Sequence, residues 1–242
     1  MTIRIFASAL VVVALALGCG PSPTAGTTGP KKEVHKADAS TPADLFPLSV
    51  GNAWTYNLSV DQLQNGQVTA SQTMERVFKV EKVDQTSNGT VGQIVIYDEE
   101  QKPVASFKIL VNDKGLFQMT VGSPGNELAY DAPLPWATWG TEVDKQVDHK
   151  TRGPLAGSRE IGTIESATYY RGEREADALT QRYASKSYDS TQKYLRDDGT
   201  GLAATQRSWF APKVGLVRLV EAITNGQVTQ RSTWVLKSHT VK

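Results

Sequence analysis

Period-two alternation of apolar and polar residues runs through most of the chain after Ala43, and it constrains the fold more than any other feature. Trp54, Tyr56, Leu58 and Val60 alternate with Thr55, Asn57, Ser59 and Asp61, the pattern of a strand with one buried and one wet face. Asn65-Gly66 follows as a two-residue hairpin signal. The return strand carries Val68, Ala70, Met74, Phe78 and Val80 on one face. Strand-like runs continue over 91–97, 105–111 and 116–121. After an irregular stretch through Pro124-Gly125 and Pro133-Leu-Pro135 they resume over 141–151, 158–170, 176–189, 205–211, 214–223 and 228–240. About eleven strands joined by short turns predict an all-β fold. The expected architecture is an antiparallel meander curled into a half-barrel or barrel-like sheet that exposes few edges. Over 173–194, Ala176, Leu179 and Tyr183 also fit helical spacing, so a helix is the alternative there.

The N-terminus is different in kind. Arg4 is the only charge before position 20, and Ile5 to Leu17 is an uncharged run of thirteen residues. At ~1.5 Å per residue such a run spans about 20 Å, short of a ~30 Å hydrocarbon core. Residues 1–18 therefore read as a signal peptide rather than a mature span. Ala16-Leu17-Gly18-Cys19 resembles a bacterial lipobox, which implies that Cys19 is diacylated and becomes the membrane anchor. The alternative is an ordinary signal peptide with an incidental cysteine. Cys19 is the only cysteine of the chain, which excludes an intramolecular disulfide and a thiolate metal cluster. Gly20, where retention in an inner membrane would call for Asp, implies outer-membrane sorting where the cell has such a membrane. Residues 19–41 are rich in Gly, Pro, Ser, Thr and Lys and lack aromatics, so they read as the lipidated cysteine and a disordered tether. A single β-rich domain is expected over 42–242.

Phe46-Pro-Leu-Ser-Val-Gly51-Asn-Ala-Trp54-Thr-Tyr56 resembles the opening of a widespread group of bacterial exported β-proteins, FPL-x-x-G-x-x-W-x-Y. Trp209-Phe-Ala-Pro-Lys-Val-Gly-Leu-Val217 resembles the closing element of the same group. Pro135-Trp-Ala-Thr-Trp139-Gly140 is a degenerate echo of a middle element. The resemblance implies a lipoprotein or secreted protein. It also implies an architecture similar to the incomplete β-barrels of periplasmic lipoprotein carriers, a curved sheet around an apolar concavity. Trp54, Tyr56 and Trp209 would then pack at the first and last strands and help to close the sheet; the other reading makes them line a ligand site. Asn65-Gly-Gln-Val-Thr69 recurs as Asn225-Gly-Gln-Val-Thr229, which reads as shared turn chemistry rather than duplication.

Chemistry is scarce. Lys+Arg number 26 against 25 Asp+Glu, too balanced for nucleic-acid binding by phosphate neutralisation. Gly199-Thr-Gly201-Leu-Ala-Ala204 matches a dinucleotide fingerprint formally but lacks the strand before and helix after it. The Asp148-His149 dipeptide sends its side chains to opposite faces of a strand, and His239 lies near the C-terminus without a motif. No catalytic, metal-ligating or cofactor-binding residue is expected, and no ligand-binding residue can be named. The expected function is a non-catalytic envelope lipoprotein acting as a binding or structural module. The alternative is a carrier of a lipophilic or acyl ligand within the curved sheet. The expected partners are the membrane, through the lipid anchor, and an envelope protein or a lipophilic ligand. Trp54, Met74, Phe78, Phe107, Ile109, Phe117, Met119 and Trp234 are the expected inward side chains.

Overall fold

The structure, a computed structural model, describes residues 34–35, 41–156 and 158–242. The expected signal peptide, Cys19 and most of the expected tether lie outside the described residues. The strands are β1 (Val34–His35), β2 (Ala53–Gln64), β3 (Gln67–Thr86), β4 (Gly89–Tyr97), β5 (Pro103–Asn112), β6 (Gly115–Ser123) and β7 (Asn126–Thr138). They continue as β8 (Gln146–Pro154), β9 (Ile161–Asp177), β10 (Arg182–Leu195), β11 (Gly201–Ala211), β12 (Gly215–Asn225) and β13 (Val228–Thr240). One helical turn, α1 (Pro42–Leu45), precedes β2. The architecture is the expected one: all-β, antiparallel, wrapped into a nearly closed barrel.

β2 to β13 form one hydrogen-bonded path in the order β7-β6-β5-β4-β3-β2-β13-β12-β11-β10-β9-β8. Two six-strand meanders thus meet where the first strand of the barrel pairs with the last, Trp234 opposite Leu58 and Leu236 opposite Tyr56. The ladder is interrupted between β7 and β8, which follow each other in sequence. There the Ala132 N–H donates to Thr151 Oγ1 (2.8 Å), and Gly153 lets Tyr130 lie against the β8 backbone, where a Cβ would run into the ring. The stretch expected to be irregular before residue 135 belongs to β7; as an end strand it tolerates Pro133 and Pro135.

The helical alternative over 173–194 does not form. β9 and β10 make a hairpin there, with Ala176 and Tyr183 as cross-strand partners, both buried, and Leu179 exposed near its turn. A bulge between Lys186 and Tyr188 bends the hairpin. Its tip reaches β13, where the Leu179 N–H donates to the Leu236 carbonyl (2.9 Å). Val34–His35, inside the segment read as tether, pairs in parallel with Arg182–Tyr183 at that tip.

The two sequence motifs interlock. Trp54 and Tyr56 point inward from β2 and are fully buried. The Trp54 indole N–H donates to the Val214 carbonyl, and the Tyr56 hydroxyl donates to the Leu216 carbonyl (2.7 Å). Gly215 sits between those carbonyls with φ +106, and a Cβ on it would stand 2.9 Å from Trp54 Nε1. Phe46 packs behind Trp54 with ring centroids 5.0 Å apart, and also meets Trp136 and Phe210. Each fully buried large side chain contributes roughly 1.5–3 kcal/mol. Gly215→Ala is expected to destabilise the fold by about 1–3 kcal/mol, through both the positive φ and the lost indole contact. A urea titration measures this, and an unchanged midpoint would contradict the interlock.

Candidate functional site

The carrier and binding readings differ in what occupies the concave face. It is filled. One apolar cluster joins Leu45, Phe46, Trp54, Phe78, Trp136 and Trp234 with their neighbours towards the α1 end. A smaller one, around Tyr130, Leu155, Ile164 and Tyr194, occupies the other end. Phe78 stacks edge-on against Phe107 and Trp234, with centroids 5.9 and 5.3 Å apart.

Between the clusters runs a polar belt. Ser232, Glu221, Gln206, Ser190 and Thr168 are successive cross-strand partners from β13 to β9. Gln118 and Gln192 line the same interior cavity as Glu221, Gln206, Phe107 and Trp136. That cavity measures about 10 Å³, room for about one water and far below the ~300–1,000 Å³ of ligand sites. Glu221 is 3% exposed, and its Oε2 has no hydrogen-bond partner. Burial pushes its pKa up to about 8, because the charged form is costly in so dry a place.

Two of the depressions among the described residues open to the surface. The larger, about 400 Å³, lies on β9 to β12 and is lined by Tyr169, Arg171, Asp189, Thr205, Arg207 and Trp209 among others. Asp189 accepts from Arg207 Nη2 (2.8 Å) and Arg171 Nε (3.0 Å). Burial raises its pKa, but these hydrogen bonds outweigh burial and hold the carboxylate below its ordinary range. Arg171 also pairs with Asp144 and stacks over Tyr169, so the groove's charges and ring faces are largely engaged with each other. Of the three aromatics with a core or ligand-lining reading, Trp54 and Tyr56 are core. Trp209 instead is half-buried beneath the Arg207 and Arg218 guanidiniums.

The second depression, about 250 Å³, lies at the bend of the β9–β10 hairpin and is lined by Thr138, Trp139, Gly140, Tyr170, Lys186 and Tyr188. Lys186 Nζ stands 5.4 Å from the Trp139 ring centroid and 5.5 Å from that of Tyr170. Tyr170 and Tyr188 stack with centroids 5.2 Å apart. The Trp139 N–H is held by the Lys114 carbonyl (2.8 Å). Thr138, 8% exposed, has a buried Oγ1 without a hydrogen-bond partner.

His149 and His239 lie on different strands, β8 and β13. His149 Nε2 is buried without a partner, and burial lowers the pKa of its ring against a smaller opposing effect of the Ala132 backbone. Asp148 is exposed and accepts from Gln146 (2.6 Å). His239, exposed on β13, lies 3.4 Å from the Tyr183 hydroxyl. Cys19 lies outside the described residues. No sequence signal marks Lys186, Thr138 and Trp139 as a group, because a hairpin bulge and the end of β7 bring them together.

No protein-family model and no curated protein matches the chain. Among solved structures it is similar to a protein from Bacteroides fragilis NCTC 9343, described as exported with a YmcC-like fold. That match has a TM-score of 0.49 and 12% identity, covering 81% of this chain and 98% of the other. It is also similar to a protein described as a lipoprotein from Parabacteroides distasonis ATCC 8503 (TM-score 0.46, 14% identity, 81% and 98% covered). A third is the hypothetical lipoprotein YmcC from Escherichia coli K12 (TM-score 0.40, 10% identity, 75% and 85% covered).

Glu221 makes a pH-dependent contribution whose sign follows from its raised pKa. Below the ordinary carboxyl value of 4.5, folded and unfolded chains both hold the proton. From there to about 8 the unfolded chain gives it up while the folded chain keeps it. Stability therefore falls as pH rises, by of order 1 kcal/mol per pH unit, and levels off above. Glu221→Gln is expected to flatten this slope and to stabilise the protein at pH 8 relative to the parent. Chemical denaturation from pH 4 to 9 reads it; parallel curves for the two proteins would refute the buried carboxyl.

Proposed function

We propose that this chain is a non-catalytic, lipid-anchored module of the bacterial cell envelope that binds its partner through its surface rather than holding cargo inside the barrel. The packed interior supports this reading: a carrier of an acyl chain needs a cavity of a few hundred Å³, and the interior cavity lined by Phe107, Trp136 and Glu221 measures about 10 Å³. The polar belt supports it too, because Glu221, Gln206 and Gln118 would meet an acyl chain with groups that lose hydration on contact. The leader and the lipobox-like Ala16–Cys19 support export and anchoring. Thioether-linked diacylglycerol plus an N-acyl chain exceeds the two signals that stable membrane attachment needs. Gly20 favours the outer membrane where the cell has one. The catalytic reading has little support: Asp148 and His149 are successive residues of β8, whose side chains alternate between faces, and His239 meets the Tyr183 hydroxyl.

The full chain, extracted in detergent and titrated with lauric acid, is expected to show no stoichiometric uptake by native mass spectrometry. One-to-one retention of the acid would revive the carrier. Cys19→Ser is expected to move the protein from the membrane to the soluble fraction and to remove the acyl mass. A wild-type mature chain without acyl mass would contradict the anchor.

A further inference from the structure

We infer that the depression at the bend of the β9–β10 hairpin is a binding site for an anionic group, carboxylate or phosphate, joined to a flat or apolar moiety. The inference rests on the reading that the chain binds through its surface, and it names the site and the ligand chemistry. Two polar side chains line one cavity of about 250 Å³. One carries the Lys186 ammonium. The other is Thr138, whose Oγ1 is shut away from solvent without a hydrogen-bond partner, a state that costs free energy until a ligand or water reaches it.

The charge at Lys186 is available. Its side chain is 20% exposed, and its acidic contact is Glu173 at 3.5 Å, itself 78% exposed. Such a long, solvated pair contributes little, so an incoming anion replaces it at small cost. The ammonium also lies over Trp139 and Tyr170, whose rings hold it in place over the cavity. A ligand that accepts from Lys186, with Thr138 beside it, brings whatever it carries next to Trp139, Tyr170 and Tyr188, which offer ring surface for offset or edge-on contact. The larger groove on β9 to β12 lacks this property, since its Arg171 and Arg207 already share Asp189.

The position suits an anchored protein. β1 pairs with Arg182–Tyr183, a few residues along β10 from Lys186. Fourteen residues lie between Cys19 and Val34, at most about 50 Å of extended chain. An anchor at Cys19 therefore holds this end of the barrel no more than about 50 Å from the bilayer, with lipid head groups and soluble anions both as candidate ligands.

Isothermal titration of the full chain in detergent with phenyl phosphate tests the inference. One-to-one binding is expected, with inorganic phosphate at least tenfold weaker for want of the ring, and with benzyltrimethylammonium not binding. Lys186→Gln is expected to weaken phenyl phosphate tenfold or more, Lys186→Arg to retain most of the affinity, and Thr138→Val to lose a smaller factor. Thr138→Val keeps the test open should Lys186→Gln fail to fold, because it removes the hydroxyl and leaves the ammonium. Displacement of the probe by phosphatidylglycerol vesicles, but not by phosphatidylcholine vesicles, assigns the anion to lipid; displacement by neither assigns it to a soluble molecule. No binding, equal binding of the cation, or affinity indifferent to both Lys186→Gln and Thr138→Val overturns the site. Binding elsewhere on the surface would leave the binding-module reading standing. Turnover of phenyl phosphate would overturn that reading itself.

Discussion

The hydrogen bond from the Trp54 indole to the Val214 carbonyl is the contact on which the rest of the architecture depends. β2 and β12 are not neighbours in the sheet, because β13 lies between them. A side chain that spans that gap fixes the curvature of three strands at once and fixes where the β11–β12 turn lies. Gly215 is what lets the indole come so close. The same indole forms the floor for Phe46, so the segment before β2 is drawn into the barrel's end. Next to it, the Lys213 N–H donates to the Asp44 carbonyl (2.6 Å), tying the turn to α1. Two motifs more than 150 residues apart thus describe one junction.

Filling the end of the barrel has a functional consequence. Rings are in contact from Phe46 through Trp54, Trp136 and Phe210, so side chains occupy this end of the barrel. The polar belt beyond it is an unusual way to finish a core. Buried Glu221 and orphaned Thr168 and Ser166 hydroxyls cost stability that an apolar layer would have supplied. The fold offsets that cost through the large aromatic cluster. On the proposed reading recognition falls to the outside: the engaged arginine groove, and the hairpin bend, where Lys186 and Thr138 line one opening.

Much of the fold was legible because alternation reports burial directly. Trp54, Tyr56 and Leu58 face inward as their spacing requires. Asn65-Gly66 and Asn225-Gly226 stand at hairpin turns with positive φ at Asn65, Gly66 and Gly226. Those two echoing turns are neighbours in space, since the Asn65 N–H donates to the Gln227 carbonyl. The misreading on β6 has a clear cause. Phe117 and Met119 alternate as an inward pair would, yet they are half-buried on the outer face while Leu116 and Gln118 point in. Gln118 faces the belt containing Glu221, so polarity inside the barrel inverted the pattern that hydropathy reads. The hairpin bend was illegible for another reason: a bulge sets the direction of Lys186, and Thr138 and Trp139 arrive from β7 at long range.

The sheet is strongest at its middle and weakest at its break. β2 and β13 are laddered over nearly their whole length, whereas β7 and β8 meet through Thr151 and Tyr130. Opening, where it occurs, belongs to that break and leaves the motif junction intact. Residue-resolved amide hydrogen exchange tests this most directly. The amides of Tyr56, Leu219 and Trp234 are predicted to exchange only through global unfolding, and those along β7 and β8 through cheaper local openings. Exchange at Tyr56 and Leu219 as fast as at the break would contradict a barrel built around the Trp54–Val214 junction.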